Sequence, residues 1–139
     1  MPLDSTYYND IAMSIYGEPS IGANGDFIFV QESDTVVQDA MFRLKTVQGD
    51  WVLVPDCGAS LESVIGSPNS SDTASKLEAL VSYALTHDGL VNASSLQITT
   101  VPVNGSTILI IVVITYNGRR STLSVSLDLV EGKLTVSAI

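Results

Sequence analysis

Residues Thr107 to Tyr116 read Thr-Ile-Leu-Ile-Ile-Val-Val-Ile-Thr-Tyr, and this stretch decides the fold. Its seven consecutive apolar residues lie between two Asn-Gly pairs, Asn104-Gly105 and Asn117-Gly118. β-branched side chains favour extended backbone, and Asn-Gly supplies the two positive-φ positions of a type I′ hairpin turn. The stretch therefore predicts a central antiparallel strand with a neighbour on each side. It is too short for a transmembrane helix, which needs about 20 apolar residues.

Both faces of this predicted strand are apolar, because the run does not alternate with polar residues. One face carries Leu109, Ile111 and Val113, and the other carries Ile108, Ile110, Val112 and Ile114. A strand that is apolar on both faces needs a cover on both faces. We expect the helices of this chain to cover one face and a partner protein to cover the other.

Composition places the chain among globular proteins. Its 139 residues predict a single domain spanning 1–139, and 45% apolar against 15% charged residues exclude a disordered chain. The low charge content leaves much neutral surface, which suits burial in an assembly. The net charge is −9 and the six Lys and Arg residues are dispersed, which argues against nucleic acid or an anionic membrane as a partner.

Cysteine usage and the first residues indicate the compartment. Cys57 is the single cysteine, so no intrachain disulfide can form and a reducing compartment fits. The first eight residues, Met-Pro-Leu-Asp-Ser-Thr-Tyr-Tyr, lack the basic and apolar regions of a signal peptide.

The first half of the chain predicts two helices. Residues 1–25 contain Gly17, Pro19, Gly22 and Gly25, so we expect an irregular segment there. The expected elements that follow are a strand at Asp26–Glu32, a helix capped by Ser33 or Asp34 and stopped at Gly49, a short extended piece at Trp51–Val54, helical turns within Ala59–Ile65, and a helix from Ser71 or Asp72 to Gly89.

After Ser95 the apolar period changes from 3.6 to 2, which predicts a sheet. Leu123, Val125, Leu127 and Leu129 alternate with polar residues, so this strand has one buried face. The expected strands are Leu96–Val103, Thr107–Tyr116, Thr122–Leu129 and Lys133–Ser137. The predicted class is α+β, with two main helices packed on a C-terminal four-stranded antiparallel meander and a short N-terminal strand.

No set of residues predicts catalysis. His87-Asp88 could suggest a general base, but both lie at a helix end, where a histidine interacting with the helix C-terminus is the better interpretation. Cys57 follows Asp56, whose charge disfavours the thiolate, so a buried structural cysteine is expected. No two carboxylates can be identified as the catalytic pair of a glycosidase. The sequence also contains no metal, phosphate or cofactor motif. We therefore expect neither enzyme activity nor a cofactor.

The last predicted strand is a candidate docking edge. Its residues are Lys133, Leu134, Thr135, Val136 and Ser137. An outer strand exposes unpaired amides and carbonyls, which either need protection or accept a strand from another chain. The doubly apolar neighbouring strand favours docking, while Lys133 is a protective charge under the alternative interpretation.

Short motifs in the same order of elements resemble the sheath-initiator family, the small baseplate wedge proteins of contractile phage tails and type VI secretion baseplates. The matching residues are Leu44-x-Thr46 at the end of the first helix, then Gly49-Asp50-Trp51, then Gly58-x-x-Leu61. The resemblance covers roughly residues 10–136. It departs from the family after the second helix, where many members carry Glu-Pro-Arg and this chain reads Thr86-His87-Asp88-Gly89-Leu90-Val91.

The resemblance implies a structural role in the virion tail baseplate, assembled in the cytoplasm of the bacterial host. The partners it implies are other wedge proteins, the tail sheath, and the tail tube or hub. The outer strand would offer its edge to sheath arms, and the wedge side, by family position, would include His87, Asp88, Gly89 and Val91. Two alternatives remain open, a small-ligand-binding α+β domain and, ranked last, a cell-wall hydrolase.

Overall fold

The chain forms a four-stranded antiparallel sheet with two helices against one face. The computed structural model describes residues 9–14, 17–31 and 33–138. The strands of the sheet follow one another in the order of the sequence: β3 (Leu96–Pro102), β4 (Thr107–Tyr116), β5 (Arg119–Asp128) and β6 (Leu134–Ala138). This arrangement confirms the predicted α+β class and the C-terminal meander.

The two Asn-Gly pairs behave differently. Asn117 and Gly118 have φ values of 50° and 77° and join Tyr116 directly to its partner Arg119, as predicted for a type I′ turn. Asn104 and Gly105 do not have positive φ, so the same prediction is wrong there. The Asn104 side chain instead accepts hydrogen bonds at 2.9 Å from the backbone N–H groups of Ser106 and Thr107. Asn often closes a turn with its own side chain in this way.

Helix α1 spans Ser33–Lys45 and helix α2 spans Ser71–Thr86. Ser33 and Asp34, expected to cap α1, are its first two residues, and the preceding Glu32 lies outside the described residues. Helix α2 begins as predicted, with the Ser70 side chain accepting from the N–H of Thr73 at 3.4 Å. A short 3₁₀ turn, Leu61–Val64, lies within the stretch expected to form helical turns.

Two expectations about short strands need correction. Residues Trp51–Val54 form a β-turn closed by the Val54 N–H and the Trp51 carbonyl at 3.2 Å, not an extended piece. The N-terminal strand is shorter than expected, since β2 spans Phe29–Gln31 and pairs with β1 (Asn9–Ile11). Strand β1 lies in the segment expected to be irregular, and it pairs with the more distant residues Phe29–Gln31, which the sequence pattern did not indicate.

The core forms between the helices and one face of the sheet. The β4 residues Ile108, Ile110, Val112 and Ile114 are at most 1% exposed, whereas Leu109, Ile111 and Val113 on the other face are half-buried. The helices contribute Val36, Ala40, Leu44, Leu77, Val81, Ala84 and Leu85 to the same cluster. The cover expected from the helices is therefore present, and the cover expected from a partner stays a prediction.

Candidate interaction surfaces

Strand β6 forms one edge of the sheet, and its pairing with β5 fixes which backbone groups face outward. The N–H of Asp128 donates to the Lys133 carbonyl at 2.9 Å, and the register continues without a break to Leu123 and Ala138. Hydrogen-bonded pairs alternate along an antiparallel ladder. The N–H and C=O groups of Leu134, Val136 and Ala138 therefore point away from β5.

These outward groups form a free polar row. Among the described residues, no hydrogen bond from another segment reaches the backbone of Leu134, Val136 or Ala138. The side chains are less available than the backbone, because Val136 is buried and Leu134 is half-buried. Ser137 bonds the Ser124 hydroxyl at 3.0 Å. Of the predicted edge residues, only Lys133 and Thr135 have exposed side chains, so the edge offers mainly its backbone.

The opposite edge, strand β3, is less suited to accept another strand. The same alternation turns the backbone of Leu96, Ile98, Thr100 and Pro102 outward. Pro102 has no N–H to donate, and the N–H of Leu96 already donates to the Ala93 carbonyl. Edge β6 therefore presents the more complete row of donors.

The turn after α2 contains the residues assigned to the wedge side. His87 follows the last residue of the helix, and its Nδ1 lies 2.7 Å from the Tyr83 carbonyl while its ring stacks on Tyr83 at 4.5 Å. This agrees with the interpretation that His87 interacts with the helix end. Asp88 and Gly89 are exposed, but Val91 is only 4% exposed and packs in the core. The partner contact expected of Val91 stays a prediction, and its burial leaves His87, Asp88 and Gly89 as the exposed members of this set.

An arginine from α1 fixes this turn. Arg43 Nη1 donates to Asp88 Oδ1 at 2.7 Å, and its Nε donates to Asp39 at 3.3 Å. Burial alone would raise the pKa of the Asp88 carboxyl, but the hydrogen bond and charge of Arg43 hold that pKa below its usual value. Burial would lower the pKa of Arg43, and the two aspartates outweigh it and raise that pKa.

Cys57 lies close to the same charges. It is half-buried, where full burial was expected. Burial raises the pKa of its thiol, and although Arg43 acts to lower that pKa, the charges of Asp39 and Asp88 act with burial. The thiolate is therefore disfavoured as expected, but burial is the main cause of the raised pKa and Asp39 and Asp88 add to it, whereas the neighbouring Asp56 is not among the causes. A thiol held in its neutral form is a poor nucleophile.

The exposed turn at residues 51–54 was not predicted from the sequence. Residues Trp51, Val52, Leu53 and Val54, hereafter the apolar loop, protrude between α1 and the 3₁₀ turn, with Val52 and Leu53 at 90% and 92% exposure. Gly49 before this stretch and Pro55 after it could have indicated the turn, because Gly and Pro favour turns. Apolar content led instead to the prediction of an extended piece.

An open groove of about 1080 Å³ runs between α1 and the β1–β2 pair and reaches Ser137 and Ala138 of β6. Its lining is largely apolar and includes Ile11, Met13, Val37, Met41 and Phe42, together with acidic side chains such as Asp10. Within the described ranges, no cluster of His, Cys, Asp or Glu is arranged to hold a metal ion. No helix in the described part of the chain has the length and apolar character needed to cross a bilayer.

Comparison with known proteins gives a likeness of fold. No protein-family model matches the chain, and no curated protein matches it in sequence. A crystal structure from Geobacter sulfurreducens, named a "putative tail lysozyme", superposes with a TM-score of 0.60 at 17% identity. The match covers 74% of this chain and 96% of the Geobacter protein. The chain therefore shares its fold with a protein named a tail lysozyme.

Proposed function

We propose that the chain is a structural component of a contractile tail baseplate, which joins wedge proteins and initiates sheath polymerisation. The observation that carries this proposal is the β6 edge, with three outward-facing residues whose backbone groups no other described segment bonds. The fold shared with the Geobacter tail protein supports the setting, and so do the short motifs that resemble the sheath-initiator family. The location that follows is the virion tail.

Strand addition is the mechanism. An extended arm of a sheath subunit lies beside β6, and its backbone bonds to the N–H and C=O groups of Leu134, Val136 and Ala138. Main-chain bonds give affinity without requiring particular side chains, which suits an edge whose side chains are mostly inward. Lys133 lies at the start of the strand, where its charge limits unwanted pairing between edges.

The wedge proteins contact a separate surface, the turn at His87, Asp88 and Gly89. Arg43 holds Asp88 from α1, so this turn has a fixed position relative to both helices. A fixed turn lowers the entropy lost on binding. The tail tube or hub is a further neighbour in this arrangement, whereas nucleic acid, membrane and cofactor have no part in it.

A proline substitution tests strand addition directly. In Ala138→Pro the outward N–H is removed at an exposed position, while the bonds between β5 and β6 do not use that N–H. The control, Ala138→Thr, enlarges the side chain and keeps the N–H. Tagged protein is co-expressed with the sheath and wedge proteins of the same phage and captured. We expect Ala138→Pro to lose sheath and keep wedge proteins, while Ala138→Thr captures both.

Equal capture of sheath by Ala138→Pro and Ala138→Thr would overturn the edge mechanism. Capture of neither sheath nor wedge protein by the unmodified chain would overturn the baseplate assignment. The competing function is cell-wall hydrolysis, because the Geobacter protein is named a lysozyme and we propose a structural, non-enzymatic role for this chain. Purified peptidoglycan incubated with the chain should release no soluble fragments, and release would favour the hydrolase.

A further inference from the structure

The apolar loop is the most exposed hydrophobic feature among the described residues. Val52 and Leu53 are 90% and 92% exposed, and Trp51 and Val54 are 48% and 54% exposed. Single exposed apolar residues are common, but four consecutive ones form a contiguous patch. Such patches on soluble proteins mark binding sites for other molecules.

Hydrogen bonds hold the loop in one shape. The N–H of Gly49 donates to the Pro55 carbonyl at 3.0 Å and closes its base. The N–H of Val54 donates to Trp51 at 3.2 Å, so Val52 and Leu53 occupy the centre of a β-turn. The Trp51 ring lies edge-on to Phe42, with the centroids 5.5 Å apart. The patch is therefore shaped before any partner arrives.

Neither turn preference nor burial explains why Val and Leu occupy the centre of this turn. The centre of a β-turn favours Gly, Pro, Asn, Asp or Ser, and Val is a poor turn residue. Val52 and Leu53 contribute little to the core, because their side chains are almost wholly in water. Residues that conflict with both local preference and burial are typical of functional sites.

The charges around the loop indicate what covers it. Asp50 and Asp56 flank the patch in the sequence, and residues 46–58 contain no Lys or Arg. Lys45, just before this range, lines the groove together with Asp50 and Trp51 and already has a partner of its own. The nearby Arg43 is already engaged by Asp39 and Asp88. An anionic membrane or a second copy of this chain, with its net charge of −9, would add like charge to this surface.

We propose that the apolar loop inserts into an apolar pocket of a partner protein whose rim carries Lys or Arg. Val52 and Leu53 fill the pocket, and Asp50 and Asp56 face the basic rim. Contacts of this kind concentrate binding energy in a few central side chains, while the rim charges mainly set specificity and association rate. The choice of partner to test rests on the proposed function. Trp51 lines the same groove as Ser137 and Ala138 of β6, whereas Val52 and Leu53, which fill the pocket, do not line it.

Trp51 is the only tryptophan in the chain, so its fluorescence reports on the loop directly. The purified wedge and sheath proteins of the same phage are titrated one at a time, and Trp51 emission is followed with tryptophan-free versions of those proteins. We expect one of them to shift the emission to shorter wavelength. The double variant Val52→Ser/Leu53→Ser should weaken that binding about 10- to 100-fold.

Two further variants separate the apolar and charged contributions. Val103→Ser is the matched control, because Val103 is 58% exposed in a different turn, and it should bind as the unmodified chain does. Asp50→Asn/Asp56→Asn should bind severalfold more weakly and lose most of the dependence on salt. Binding by Val52→Ser/Leu53→Ser that equals binding by Val103→Ser would overturn the proposal, as would the absence of an emission shift with every protein.

Other binding partners of the apolar loop would give results that differ from those of a protein pocket. A loop-dependent shift of Trp51 emission on phosphatidylcholine vesicles would assign the patch to lipid and overturn the protein pocket. Concentration-dependent dimerisation that Val52→Ser/Leu53→Ser abolishes would assign it to a second copy. Sheath binding that depends on the Ala138 N–H, together with no binding of any sheath or wedge protein that depends on Val52 and Leu53, would overturn this inference alone and leave the proposed function standing.

Discussion

Arg43 of α1 and Asp88 of the turn after α2 form an ion pair with 2.7 Å between Nη1 and Oδ1. The same Nη1 donates to the Ala84 carbonyl at 3.0 Å, near the end of α2. The Arg43 side chain is only 12% exposed, so solvent screens the pair incompletely. One side chain thereby connects both helices and positions the proposed wedge surface.

Replacing Asp88 with Asn should destabilise the fold, because Arg43 keeps its buried charge and loses its closest anion. We expect the free energy of unfolding to fall by about 1–3 kcal/mol. Urea denaturation of Asp88→Asn, compared with Glu131→Gln at an exposed site, measures the difference. A loss no larger than that of Glu131→Gln would contradict a role for the pair in stability.

The same pair should make stability depend on pH in acid. Arg43 lowers the pKa of Asp88 in the folded chain, whereas an unfolded Asp titrates near pH 3.9. The folded state therefore binds the proton less readily than the unfolded state. The contribution of Asp88 is complete above the unfolded pKa and is lost as pH falls through the folded pKa.

The stability difference between the unmodified chain and Asp88→Asn should therefore stay constant from about pH 5 to pH 8 and shrink below about pH 4. Denaturation series at several pH values provide the measurement. A difference that grows on acidification would show that the sign of this linkage is wrong.

Gly58 should tolerate no side chain. Its φ is +116°, and a Cβ would lie 2.5 Å from the Thr46 carbonyl oxygen. Gly58→Ala should cost about 2–4 kcal/mol, because strain in the backbone adds to a clash with main-chain atoms. Gly66→Ala is the control, since Gly66 has φ +89° with open space around its Cβ position, and it should cost about 1–2 kcal/mol. Thermal unfolding of both variants compares them, and equal losses would exclude the clash.

The two faces of β4 should respond differently to truncation. Ile110 is fully buried under the helices, so Ile110→Ala should cost about 2–5 kcal/mol. Ile111 is half-buried on the other face, so Ile111→Ala should cost roughly half as much in the isolated chain. Urea denaturation ranks the two variants. A larger loss for Ile111→Ala would mean that the isolated chain already covers both faces.

Sequence periodicity predicted the parts of the fold that depend on short-range physics. The run Ile108–Ile114 and the alternation from Leu123 to Leu129 predicted two strands, because side-chain direction repeats every second residue along a strand. The Asn-Gly pair correctly predicted positive φ at Asn117 and Gly118, but the same prediction is wrong at Asn104 and Gly105. Helix α2 was predicted from its apolar stripe and the polar residues before it.

Features that depend on distant contacts were not predictable in this way. The bond between Arg43 and Asp88 joins residues 45 positions apart, and no local pattern indicates it. The burial of Val91 depends on how the chain returns after α2, where its N–H donates to the Leu85 carbonyl. The apolar loop was missed because composition predicts where apolar residues usually lie, and this loop places them in water.

The packing of α1 on β6 determines when this molecule can finish folding. Val36, Ala40 and Leu44 share a core with Val136, which the ribosome adds about 90 residues after the helix at roughly 5–20 residues per second. The pairs β3–β4, β4–β5 and β5–β6 join neighbours in the chain, so each hairpin can form as soon as it is synthesised. Helix α2 can cover part of α1 earlier, but the part of α1 that packs on β6 stays uncovered for several seconds. During that interval the nascent chain exposes an apolar helix face that can aggregate. A chaperone that binds this face would therefore raise the yield of folded protein on expression.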